Sequence, residues 1–169
     1  MAHPLEDVMR EADGFVLIGD SSKGRFPAMS YHAYTRAKKR FYCLDLGGTA
    51  SSRGPTKGGT VYTSVGALPE ERGDLAILWV LPDDAVRAVD VAHEAGCRRV
   101  WFNFKTATTA AVERARELDL EVVEIGRCPV HFLADQPSAC KGHTLLLKLT
   151  GSYRRPPQRD AGARRRELW

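Results

Sequence analysis

At 169 residues, 43% hydrophobic and 27% charged, the chain has the size and composition of one soluble globular domain, neither disordered nor disulfide-framed. No apolar run approaches the roughly 18–20 residues of a membrane helix, and the N-terminal MAHPLEDVMREADG is no secretory leader, so a cytoplasmic address with reduced cysteines is expected. The net charge of +4 lies wholly in residues 151–169, where six arginines (Arg154, Arg155, Arg159, Arg164, Arg165, Arg166) face Asp160 and Glu167, which excludes a basic domain surface as the source of the charge.

In chain order, residues 4–12 predict a short helix, with Pro4 in its first turn, Leu5, Val8 and Met9 on one face, and Gly14 as its stop. An apolar run at 15–18 follows, and others lie at 41–46, 75–81, 100–104 and 122–125. Runs without alternation predict strands buried on both faces, the habit of a parallel sheet. Residues 28–40 read as a helix with Arg36, Lys38 and Lys39 on its polar side. Gly47 to Gly59 reads as a long glycine-rich loop. A third helix is opened by Pro82-Asp83-Asp84 and closed by Gly96; a fourth is capped by Thr108 or Thr109, with Ala111, Val112, Ala115 and Leu118 on one face. Strands alternating with helices predict an α/β fold: a Rossmann-like, doubly wound, parallel five-stranded sheet in a single domain. That domain spans residues 1–150, and residues 151–169 form a basic tail, read as disordered, through which alone nucleic acid would bind.

In such a sheet, ligands sit beyond the carboxyl ends of the strands, where the strand order reverses. The first strand feeds Gly19-Asp20-Ser21-Ser22-Lys23-Gly24, in the place of a dinucleotide G-x-G-x-x-G turn, with Ser21 for the middle glycine. A tight turn at Gly19 would aim backbone N–H groups at a phosphate, with Ser21, Ser22 and Lys23 or Arg25 as added donors. The segment is not a Walker A loop, because Arg25-Phe26 follows Gly24 instead of Lys-Ser/Thr. Asp45 closes the second strand and can accept from ribose hydroxyls, as in NAD-type sites, or cap the loop that begins Leu46-Gly47. Arg53 and Lys57 beyond it could meet a ribose phosphate.

Gly19-x-Ser21 is followed by Pro27 and Tyr34, then Gly59-Thr60-Val61-Tyr62 by Leu68-Pro69. Motifs in this order resemble the small CoA-binding domain family. Val100-Trp101-Phe102-Asn103, Ala110-Ala111 through Arg114-Ala115, and Arg127-Cys128 fall where that family has V-W-x-Q, E-A-A-x-x-A-R and D-R-C. The resemblance covers roughly residues 13–133. It implies a Rossmann-like domain, related to the nucleotide domain of succinyl-CoA synthetase, that binds coenzyme A with the diphosphate on the Gly19 to Ser22 turn. The family pattern is altered at Lys23-Gly24, around Asp45-Leu46-Gly47, and at Asn103 and Lys105; a carboxylate near a 3′-phosphate would repel it.

The expected function is therefore non-catalytic binding of coenzyme A or an acyl-CoA, with an NAD- or NADP-binding enzyme or redox sensor as the alternative on the same fold. The adenosine would face Asp45, Leu46, Gly47 and Gly48, the pantetheine Asn103, Phe104, Lys105 and Thr106, and Arg127 completes the expected set. No triad assembles: His32 and His93 lie on predicted helices and no Ser or Cys has a base beside it. Cys128-x-x-His131 and Cys140-x-x-His143 could supply a tetrahedral zinc set. The competing reading is cysteines packed as small hydrophobes and histidines bonded nearby, and no metal is assigned. Trp79 and Trp101 read as core residues.

Overall fold

The computed structural model of the chain describes residues 3–25, 28–48 and 60–161. Six strands form one parallel sheet: β1 (Gly14–Gly19), β2 (Arg40–Asp45), β3 (Val61–Tyr62), β4 (Leu75–Trp79), β5 (Arg99–Phe102) and β6 (Glu121–Ile125). Their order is β3-β2-β1-β4-β5-β6, so the direction of winding reverses between β1 and β4. Helix α1 (Pro4–Glu11) precedes β1, and α2 (Ala28–Arg36) crosses from β1 to β2. Helices α3 (Ala85–Glu94) and α4 (Thr109–Glu117) make the next two crossings, and α5 (Ser138–Leu149) follows β6.

The unalternating apolar runs have the expected cause. Val16, Ile18, Ala76 and Leu78 face one layer, against Ala88, Val89 and Ala92 of α3 and Ala111, Val112 and Ala115 of α4. Phe15, Leu17, Leu75 and Ile77 face the other, against Leu5 and Met9 of α1 and Ala33 and Tyr34 of α2. Trp101 is fully buried there, its indole N–H donating to the Arg127 carbonyl at 2.7 Å.

The sequence expectation needs correction in four places. The sheet has six strands and not five; β3 pairs only Val61 with Cys43 and Tyr62 with Leu44, too short a stretch for periodicity to register. Helix α2 ends at Arg36, because Lys38 adopts a left-handed φ of 54° and the Lys39 N–H closes back on the Tyr34 carbonyl at 3.0 Å. Residues Pro82–Asp84 form a 3-10 turn, and α3 begins only at Ala85. Finally, residues 152–161 lie against the domain: Tyr153 is buried and stacked on Phe132 at 5.2 Å. Charge counting does not register one anchoring ring or the backbone carbonyls beside it. Arg164, Arg165 and Arg166 lie outside the described residues, as do loop positions 49–59, with Arg53 and Lys57, and Pro27. Among the described residues, no helix is long and apolar enough to cross a membrane.

Candidate functional site

Strand β1 is buried along its whole length, and its chain leaves the sheet at Gly19. Asp20 then caps the 3-10 turn Ser21–Lys23: its Oδ1 accepts from the Ser22 N–H at 2.9 Å, the Ser22 hydroxyl at 2.5 Å and the Lys23 N–H at 3.3 Å. Gly24 takes φ 67°, which lets the chain double back so that Arg25 and Asp20 exchange backbone hydrogen bonds of 2.8 and 2.7 Å.

In the sheet register Gly19 lies opposite Asp45, at the end of β2. The buried Asp45 carboxylate reaches across: Oδ1 accepts from the Ser21 N–H at 2.9 Å and the Gly47 N–H at 3.0 Å, and Oδ2 from the Ser21 hydroxyl at 2.5 Å. The Leu46 N–H donates to the Gly19 carbonyl at 2.8 Å. A Cβ on Gly47 would stand 2.7 Å from Asp20 Oδ1 and 3.0 Å from the Ser22 nitrogen. The first turn and the start of the loop after β2 therefore form one hydrogen-bonded body, organised by two carboxylates.

On the other side of the reversal point, β4 contributes Asp84 from the turn that follows it. Lys23 Nζ lies 2.7 and 2.6 Å from its two carboxylate oxygens, and this bond holds the ammonium above its ordinary pKa. Arg87 on α3 donates to the Leu46 carbonyl at 3.3 Å. One strand further, Asn103 directly follows β5 and is fully buried. Its Oδ1 accepts from the Phe104 N–H at 2.8 Å, while its Nδ2 has no hydrogen-bond partner among the described residues. The Thr106 hydroxyl donates to the Val80 carbonyl at 3.1 Å, and Lys105 takes a left-handed φ of 54° between them. Phe104 is 39% exposed and meets the half-buried Trp79 edge-on at 5.2 Å. That pair gives the carboxyl ends of β4 and β5 an aromatic wall, so Trp79 belongs only partly to the core.

The structure thus gathers Gly19, Asp20, Ser21, Ser22, Lys23, Arg25, Asp45, Leu46 and Gly47 into one unit, with Asn103, Phe104 and Lys105 on the β5 side. Arg127 is held elsewhere. Its guanidinium, 10% exposed, donates to Glu124 at 2.6 Å, the Arg155 carbonyl at 2.9 Å and the Pro156 carbonyl at 3.2 Å, and it lies over Phe132. Asp84 and Arg87 were not legible from spacing. Their place depends on β4 lying next to β1, which no local pattern encodes.

The two Cys-x-x-His pairs do not form a ligand set: no group of three or more His, Cys, Asp or Glu among the described residues is placed to hold a metal. His131 Nδ1 is instead 2.9 Å from the Thr144 hydroxyl, which donates to Gln136 at 2.8 Å, and Gln136 donates to the His131 and Leu133 carbonyls. Burial pushes the His131 imidazole down to about 4, with His143, 4.4 Å away ring to ring, acting in the same direction. This cluster is a satisfied buried network.

A parallel sheet in this order, winding in opposite directions from β1 and β4, defines a Rossmann-like α/β fold. Residues 15–132 match the CoA binding domain family, and the chain belongs to it. Among solved structures, it is similar to a hypothetical protein from Pyrococcus horikoshii (22% identity, 76% of this chain and 86% of that one, TM-score 0.62). A protein from Thermus thermophilus (16% identity, 75% and 95%, TM-score 0.57) and a conserved hypothetical protein from Pyrococcus furiosus (17%, 69% and 96%, 0.56) share the same fold. No curated protein matches the sequence.

Proposed function

We propose that the chain binds coenzyme A or an acyl-CoA in the crevice between the loops after β1 and β4, as a binding domain and not as a catalyst. The observation that carries this reading is the Ser21–Lys23 turn, seated at the winding reversal of a CoA-binding-family domain. The two serine hydroxyls stand on single rotors, so a phosphate oxygen can take the place of the carboxylate each now meets. Lys23 supplies the cation of the turn. Asp45, Leu46 and Gly47 would face the adenosine, and Asn103, Phe104 and Lys105 the pantetheine arm. The Asn103 Nδ2, buried without an acceptor among the described residues, suits a pantetheine carbonyl. Arg25 borders the turn through its backbone pairing with Asp20. Asp45 already accepts from three donors of its own chain, which counts against its serving as the acceptor for an NAD ribose.

The test is isothermal titration with CoA, acetyl-CoA, NAD⁺ and NADP⁺, backed by native mass spectrometry. CoA binds stoichiometrically and NAD⁺ does not displace it; Ser21→Glu loses at least about tenfold in CoA affinity, the penalty of a carboxylate facing a phosphate, and melts lower than wild type because its carboxylate replaces the hydroxyl that Asp45 accepts from, while the circular dichroism of the fold is retained. Unchanged CoA affinity in that folded variant would overturn the site, and tighter NAD⁺ than CoA binding would overturn the ligand.

A further inference from the structure

A second concave surface shares no lining residue with the Ser21 turn. It is a groove of about 740 Å³ bounded by α1, the turn from α2 into β2, the segment after β6, and α5. Six cations line it (Arg10, Arg36, Lys38, Lys39, Lys141 and Lys148) against only Glu6 and Asp135. Part of that charge is engaged: Arg36 with Asp135 at 2.9 Å, Arg10 with Asp7 at 2.5 Å, Lys39 on the Arg10 and Ala12 carbonyls. Lys38 has no side-chain partner among the described residues, Lys141 reaches Asp135 only at 4.0 Å, and Lys148 lies over the Tyr153 ring. Lys38 also occupies the left-handed position that closes α2, where glycine is favoured; a lysine there sets a cation on the rim at the expense of backbone comfort.

One edge of the groove is apolar. Leu145 is 58% exposed, and Leu146 and Leu149, at 44% and 77%, continue it along the outer side of α5. Separated lysines beside an exposed leucine row match a ligand that is acidic and apolar at helical spacing. The groove's two rings, Phe132 and Tyr153, are buried against each other and offer no face for a nucleobase to stack on. The chain's own Arg164, Arg165 and Arg166 carry the same sign as the groove and would be repelled from it.

We propose that this groove docks an acidic amphipathic helix of a partner protein. The probe is a fluorescein-labelled 16-residue peptide with leucines at i, i+3, i+4 and i+7 and glutamates elsewhere, titrated by fluorescence anisotropy. It is compared with a permuted peptide of identical composition and with a 16-nucleotide oligodeoxythymidine. The patterned peptide binds at least about tenfold more tightly than the permuted one, and Lys141→Glu with Lys148→Glu removes that preference. Lys38→Gly raises the melting temperature, since glycine suits the left-handed turn, yet weakens the peptide about threefold. CoA affinity is unchanged in all of these variants, so this test and that of the CoA site fail independently. Equal binding of the two peptides, tighter binding of the oligonucleotide, or full peptide affinity in Lys38→Gly would each overturn the proposal.

Discussion

Two ends of the same sheet are organised by buried carboxylates, and they behave oppositely. At the end of β1 and β2, Asp20 and Asp45 gather the backbone donors of a turn whose Ser22 and Lys23 still face solvent. At the end of β6, Glu124 accepts from Arg127 at 2.6 Å and from the Gln158 N–H at 2.9 Å, and the chain's own residues 155–158 cover the pair. The arginine that sequence order places among ligand contacts is thereby tied to backbone carbonyls 28 and 29 residues away. A charged residue at the carboxyl end of a strand is a site only if the chain leaves room in front of it.

The sharpest way to break this contrast is Glu124→Ala. It leaves a buried guanidinium unpaired and costs about 3–5 kcal/mol in urea unfolding, while CoA affinity in the surviving folded fraction is unchanged. A loss of CoA binding in the folded fraction would mean that the sealed end serves the ligand after all. Acid probes the same region. His131 titrates near 4 in the fold and at about 6.5 when unfolded, so below pH 6.5 the unfolded chain takes up the proton first. Stability from this group is complete above pH 6.5 and lost as pH falls toward 4, by roughly 3 kcal/mol. The difference between wild type and His131→Gln across that window isolates it, and a flat difference would refute it.

The open end should respond in both stability and binding. Asp45→Ala strands the Ser21 and Gly47 N–H groups and costs about 2 kcal/mol, with a parallel loss in CoA affinity. Gly47→Ala pushes a methyl against Asp20 and the Ser22 nitrogen, costs about 1 kcal/mol, and weakens CoA through a displaced turn. The smallest effect belongs to Lys23→Met, whose solvent-facing ion pair contributes little to folding. Its unfolding midpoint stays with wild type while its CoA affinity falls a few-fold with the loss of the cation proposed to meet the phosphate. Stability loss without loss of CoA binding in Asp45→Ala would erase the distinction between the two ends.

What was legible in the sequence was local. The runs around Val16, Ile77 and Trp101 announced strands buried on both faces, because a parallel sheet covered by helices leaves no polar face to alternate with. A threonine cap on α4, at 108 or 109, was legible as well, and Thr108 makes it by accepting from the Ala111 N–H at 3.1 Å. The union of Gly19 with Asp45 also followed from motif order, since consecutive strands pair here. Other features were not legible. The Lys23–Asp84 pair spans 61 residues and exists only because β4 and not β3 lies beside β1. The end of α2 at Arg36 depends on a lysine in a glycine conformation, against its preference. The seating of residues 152–161 depends on one tyrosine among arginines.

The shortness of β3 bears on how the molecule behaves in a crowd. A sheet built from nearly all-apolar strands is a template for foreign strands wherever its edge is long and flat. Here the described edge beyond β2 is a ladder two residues long, Val61 and Tyr62, and the part of β2 that it leaves unpaired starts with the exposed Arg40. At this edge an incoming strand finds too few consecutive backbone partners to take hold.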